Sequence, residues 1–360
     1  MSAMTVAAPA PTSAAEAQAL AELRDTSLRE VRAHISAVCE QRSPLRTFGP
    51  LALDFALYTV CIAVALAADA LWLKLLAGLG AGCCVAFLFV WAHDAAHGAL
   101  FANRNTAELF GTLAMLPSLN MYRLWAFGHN RVHHGFTSLS TIDWIWRPWT
   151  PEEYAAAPPA RRALYRVERT PWGCALHYLI HVWWARMVRF NPGQTPEERT
   201  RMRNNKWLTL VFALVASALA WMYGGGIAGV FCAVVLPFIV FNYFIALFIY
   251  LHHTHPDIPF FVQRDQWSPA IAQLYCSTVV RFSWLMENLT HNIMIHVPHH
   301  VNPHIPYYRL PQAYADIKAH YARYIHEYKF TWVGLFDTFR RCKLFDYEQR
   351  RWYGYEPLPV

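Results

Sequence analysis

Four stretches of the chain lose nearly all their polar positions for long enough to cross a bilayer. The runs "LLAGLGAGCCVAFLFVWA" (75–92) and "IAGVFCAVVLPFIVFNYFIALFIYL" (227–251) carry no charged residue. The run 207–223 is slightly short but sufficient, and 51–68 is interrupted only by Asp54 near its start. Because a helix of about 20 residues spans the hydrocarbon core, the pattern predicts four transmembrane helices. The short turns "DALWLK" (69–74) and "GGG" (224–226) pair them into two hairpins. The expected fold class is an all-α integral membrane protein, with the hairpins capped by a helical domain built from 93–206 and 252–345. Residues 1–25, rich in Ala and Pro, are expected to be disordered. Residues 26–345 then form one membrane domain, and 346–360 a C-terminal tail.

Composition sharpens this picture. Hydrophobic residues make up 55% of the 360 positions and charged ones 15%, against about 25% charged in a soluble protein. Of the 31 Lys and Arg, only Lys74 falls in either hairpin turn. Basic loops face the cytoplasm, so the N-terminus, 93–206 and 252–360 are expected on the cytoplasmic side of the membrane. The opening residues lack the basic start and apolar core of a signal peptide. The net charge of +7 suits membrane lipids of an anionic leaflet or an acidic partner, and needs no nucleic acid. Eight cysteines without paired spacing read as free thiols in a reducing compartment.

The chemistry lies in the histidines. "HDAAH" gives His93 and His97 at the exit of the second span, and "HNRVHH" gives His129, His133 and His134. "HHTHP" gives His252, His253 and His255 at the exit of the fourth span, and "HVPHH" gives His296, His299 and His300. Residues i and i+4 share a helix face, so His93 and His97 can reach one ion. The same spacing pairs His129 with His133 and turns His134 towards a second ion. Spacing alone is weak: "HYLIH" repeats it at His177 and His181, inside a stretch that reads as an interfacial amphipathic helix. What carries the metal reading is several clusters sharing one membrane face. Imidazoles suit Zn, Cu, Fe or Ni, and eight or nine are too many for one ion and about right for two.

HxxxH, H(x)2–3HH and HxxHH with four spans resemble the membrane fatty acid desaturase superfamily, which also holds hydroxylases and ketolases. The resemblance covers roughly residues 50–310. "HHTHPDIPFF", then "THNIMIHVPHH" and "IPYYRL", are similar to bacterial Δ12-type acyl desaturases. The resemblance implies two iron ions (Fe2+) held by His93, His97, His129, His133, His134, His296, His299 and His300. It implies a ninth ligand at the end of the fourth span, matching His253, with His252 or His255 as alternatives. O2 is the implied co-substrate, and the implied reaction is insertion of a double bond into a long acyl chain carried on lipid, CoA or acyl carrier protein. Electrons come from a ferredoxin-like or other separate carrier, because the chain has no haem-binding segment, dinucleotide fingerprint or ferredoxin cysteine set.

Two departures leave the bond position, and desaturation against hydroxylation, open. The second box has three residues between its first two histidines, and the His291–His296 interval is one residue short of the Δ12 pattern. Hydroxylase, ketolase or acetylenase chemistry on the same scaffold is the alternative. A non-catalytic metal-binding membrane protein is a more distant one, since it predicts ionisable residues at mid-membrane and the centres of these spans hold none. Asp94, Asp143, His255, His291 and Asn292 are candidate supporting groups or alternative ligands, and Asp257, Glu287 and Asn130 further candidates for orienting imidazoles. Trp91, Trp125, Phe127, Trp144, Trp146, Phe244 and Trp284 are candidates for an apolar substrate channel.

Overall fold

A computed structural model describes residues 14–355. Four helices have the length and hydropathy to cross a membrane: Pro44–Ala67, Leu71–Ala96, Pro196–Tyr223 and Ile227–His253. Each starts or ends in a way the sequence explains. Ser43 caps the first, its hydroxyl accepting from the Arg46 N–H, with Pro44 at the first helical position, where a missing N–H costs nothing. Thr195 and Glu198 form a capping box at the start of the third. The turn between the third and fourth spans passes through Gly225 (φ +81°) and Gly226 (φ +70°), left-handed positions that a side chain would strain.

Lys74 lies not in the turn but in the first turn of the second span. Its ammonium is buried and donates to the carbonyls of Ala65, Leu66 and Gly224 at 3.2, 3.1 and 2.9 Å. These belong to the ends of the first and third spans, where helix carbonyls have no partner within the helix. Lys74 therefore ties both hairpins together.

The second span is the centre of the bundle. Its most apolar window is 61% buried, against 17% and 11% for the first and third spans. It crosses the fourth span closely at Gly78 and Gly82. A Cβ at Gly78 would stand 2.4 Å from the Cys232 carbonyl oxygen, and one at Gly82 would stand 2.5 Å from the Val240 Cβ. Small residues four apart allow such contact where apolar burial drives no helix association. The two spans that end in histidines are thus pressed together.

The cap is helical, with two short ladders. β1 (Thr278–Arg281) pairs in parallel with β2 (His326–Lys329), and β3 (Leu344–Asp346) pairs antiparallel with β4 (Arg351–Tyr353). Two expectations about the ends need correction. Residues 14–25 are not disordered: Ala14–Asp25 is a helix whose Leu20 and Leu23 are buried in the main core, with Glu22 bound by Arg323 and Tyr324. Residues 1–13 lie outside the described part. The domain does not end at 345 either. β4 closes a hairpin that packs Trp352 and Phe345 on Phe260 and Cys342, so the cap continues through 355.

Candidate metal centre

Nine imidazoles gather where the second and fourth spans end, as two adjacent groups. The nitrogens of His93, His97, His129, His134 and His299 all lie within 4.8 Å of one another, and so do those of His133, His253, His296 and His300. The partition differs from the spacing argument at one point. His129 groups with His134, not with His133. The reason is local: residues Phe127–His133 form a widened, π-type turn, in which the i and i+5 positions align and i+4 falls short. His93/His97 and His296/His300 keep the ordinary i, i+4 pairing.

Hydrogen bonds to the outer ring nitrogens set the direction of these rings. In the four-histidine group every Nδ1 is held: His133 by the Asp143 carboxylate at 3.0 Å, His253 by the Cys276 carbonyl at 3.0 Å, His296 by the Ile293 carbonyl at 3.3 Å, and His300 by Gln273 Oε1 at 2.6 Å. A neutral ring whose Nδ1–H is so committed presents a lone pair at Nε2. Yet His133 Nε2 faces His253 Nε2 at 3.1 Å, and His300 Nε2 faces His296 Nε2 at 3.0 Å. No proton is left to lie between them. Two lone pairs at this separation repel unless a cation sits beside both, and neighbouring ligands on an ion with Zn–N-like bonds stand roughly 3.0 to 3.4 Å apart. The donor set therefore fits metal ions.

The five-histidine group is oriented less completely. His93 Nδ1 binds Asp94 at 2.9 Å, and His129 stacks on Trp125 with ring centroids 4.4 Å apart. His134 Nε2 stands 3.1 Å from both His129 Nε2 and His299 Nε2. His93 Nε2, His97 Nε2, His134 Nδ1 and His299 Nδ1 are buried and have no hydrogen-bond partner. Burial, and after it the neighbouring imidazoles, hold His97, His129, His134, His296, His299 and His300 well below the ordinary histidine pKa. They are neutral near pH 7 and free to coordinate.

The other candidates are elsewhere. His252 stacks on His296 at 3.6 Å and turns its Nε2 to the Met294 sulfur. His255 stands apart from the nine, beside Asp257 and His326. His291 donates to Asp54 of the first span at 2.7 Å. Asn292 reaches the Tyr307 carbonyl, Asn130 the Ala96 carbonyl, and Glu287 pairs with Arg281. His177 is buried against Trp146 and, with His181, meets Glu168, so this segment is only partly an interfacial helix. Gln273 was not foreseen. A single buried amide in the apolar run "AIAQLYC" was the only signal. Gln273→Ala is expected to lower metal retention about 10- to 100-fold, read as metal per chain after dialysis against a chelator.

Two cavities meet the histidines from different directions. An apolar pocket is lined by His93, His129, His133, His252, His253 and His296 at one end. It continues along Ala86, Phe89 and Val90 of the second span and Phe241, Ile245, Phe248 and Ile249 of the fourth. From His253 to Phe241 the helix rises about 18 Å, so the pocket runs deep between the spans. Trp125 and Trp144 line it as anticipated, and Arg186 lies over the Trp144 ring at 4.3 Å. Trp91, Phe127, Trp146, Phe244 and Trp284 do not line it. A broader cleft reaches His97 and His134 from the other side, bordered by Arg42, Arg104, Arg123, Arg131 and Arg201 against Glu108 and Glu198.

The fatty acid desaturase family profile matches residues 70–332. The chain is 32% identical over 329 residues to the sn-1 oleoyl-lipid 12-desaturase of Picosynechococcus sp., covering 89% of this chain and 90% of that protein. It is 29% identical to the enzyme of the same description in Synechocystis sp., over 72% of each. It is 32% identical to the chloroplastic omega-6 fatty acid desaturase of Brassica napus, over 78% of this chain and 62% of the longer plant protein. A four-span helical chain, with clustered histidines and a family match over most of its length, belongs to the membrane fatty acid desaturases, oxidoreductases of acyl-chain metabolism.

Proposed function

We propose that this protein is an O2-dependent di-iron desaturase that introduces a double bond into the acyl chain of a membrane lipid. The observation that carries this reading is the end of the apolar pocket, which is closed by the histidine cage itself. His93, His97, His129, His134 and His299 would hold one iron, and His133, His253, His296 and His300 the other. When bound, the irons supply the O2 activation and C–H cleavage that no side chain here can perform.

The chain's own residues do the rest. The stripe Phe241, Ile245, Phe248 and Ile249 holds methylenes by apolar contact and keeps water away from the reacting carbons. Leu124, Trp125 and Ile293 complete the wall beside the histidines, limiting which methylene pair can lie against them. Asp94, Asp143 and Gln273 keep the rings aimed as substrate enters. A lipid-borne chain is favoured over CoA or carrier protein because the pocket runs between spans and the similar proteins of Picosynechococcus and Synechocystis are named for oleoyl-lipid. The arginine-bordered cleft behind His97 and His134 suits the approach of an acidic, ferredoxin-like donor. The working face would be the cytoplasmic side of a bacterial inner membrane.

Metal analysis and product analysis together test this. About two irons per chain and an expressing-cell lipid product 2 Da lighter are expected. A product 16 Da heavier would move the assignment to hydroxylation, and an unchanged lipid profile with no bound iron would end it.

A further inference from the structure

Outside the cage, a second set of metal-type ligands meets on the cap. His255 and Asp257 lie on the loop leaving the fourth span, and His326 opens β2, 71 positions after His255. Their ligand atoms all lie within 4.8 Å of one another. Neither histidine belongs to the nine, and neither lines the apolar pocket.

His326 is the informative residue. Its ring packs edge-on to Tyr275 at 4.6 Å. Its Nε2 is buried with no hydrogen-bond partner. A histidine held by ring packing, with a buried nitrogen left bare, offers the lone pair that a metal ligand needs. A buried nitrogen without a partner is otherwise destabilising. Burial takes the His326 pKa down to about 4, so its lone pair is available at neutral pH.

Other ligand-type groups stand close to this ring. The His255 ring is 6.0 Å from that of His326, centroid to centroid, and nearly parallel to it. His255 Nδ1 accepts the Asp257 backbone N–H at 3.3 Å and lies 3.4 Å from that residue's carboxylate, so an ion bound there through Nδ1 would displace the N–H. Glu16 of the helix Ala14–Asp25 adds a second carboxylate within electrostatic reach of Asp257. Two cations oppose an added ion: Arg350 acts on Glu16, and Arg341 on His255, the latter offset by Asp337. Two imidazoles and a carboxylate, with solvent access past the exposed Asp257, make a three-ligand set with room for water.

We propose that His255, Asp257 and His326 form a mononuclear site for a zinc-type divalent cation, separate from the nine-histidine cage. The ligands must close by about 1 Å to reach tetrahedral separations, within the reach of side-chain rotation on an exposed loop. The ion braces the cap. It ties the loop that follows His253 to β2, and β2 pairs with β1, whose Val280 N–H bonds the Met294 carbonyl just before the third histidine box. Zinc binding therefore stabilises the folded cap by linkage.

The test uses full-length, iron-loaded protein in detergent, given one equivalent of Zn2+ and then desalted. Iron and zinc per chain are measured together, with the thermal transition. About one zinc retained by the wild type, a higher Tm with zinc, and loss of both in His326→Ala and Asp257→Asn at unchanged iron are the expected results. Equal zinc in wild type and variants, or none in the wild type, overturns the site. If His326→Ala also loses iron, the cap has been disturbed and Asp257→Asn, on the exposed side, decides instead. Absence of iron from every sample would count against the proposed desaturase centre and leave the zinc difference as readable as before.

Discussion

His253→Ala is expected to reduce bound iron to one per chain or fewer and to lower product formation by at least about 100-fold. Loss of a ligand from a four-histidine group leaves three donors, and the effect exceeds the 10- to 100-fold typical of groups that only orient a ligand. His253 is singled out because it lies outside the three boxes. Its Nε2 opposes His133 Nε2 at 3.1 Å and its Nδ1 is anchored on the Cys276 carbonyl. His252 points to the Met294 sulfur and stacks on His296, so His252→Gln should keep both irons and show a smaller fall in turnover. Iron per chain and labelled-oleate conversion in the two variants check the assignment. Full iron in His253→Ala would exclude it as a ligand.

The second large effect lies in the membrane. Asp54 is a buried carboxylate in the first span. Its Oδ2 accepts both the Trp91 indole N–H and the His291 Nε2–H at 2.7 Å. His291 and Asn292 both have left-handed backbone (φ +50° and +54°), a conformation that costs about 1–3 kcal/mol at a residue such as histidine. The Asp54 bond offsets that cost and starts the turn that delivers His296. Asp54→Ala strands two buried donors and is expected to destabilise the protein by about 3 kcal/mol or more, with a drop of several degrees in Tm and weaker iron retention. Asp54→Asn should lose less than half as much, because both bonds converge on one oxygen and an amide oxygen can still accept them. Equal losses in the two variants would show that the negative charge, not the pair of hydrogen bonds, holds the turn.

Much of this architecture was legible in the residue pattern because membrane insertion is a local property. A run of apolar residues long enough to satisfy its own backbone must be a helix in lipid, whatever the rest of the chain does. The near absence of Lys and Arg from two turns likewise yields an expected orientation without any contact being known. Helical spacing sufficed for His93 with His97, since that segment keeps the regular period. The three-box pattern was specific enough to identify the family.

Other features had to wait for the folded chain. The exchange of His133 and His134 between the two groups depends on a widened turn, and a change of helical period alters no residue in the sequence. The choice of His253 over His252 and His255 depends on how far the fourth helix runs before Thr254 ends it. Gln273, the Asp54–His291 bond and the β2 histidine near the fourth-span loop join positions 27, 237 and 71 residues apart. Such pairings are decided by which faces pack, and periodicity describes a face without naming its neighbour. The sequence by itself determined the spans, their pairing, the histidine supply and the family. Only the tertiary structure decided which nitrogen faces which, because ligand geometry is a property of several elements at once.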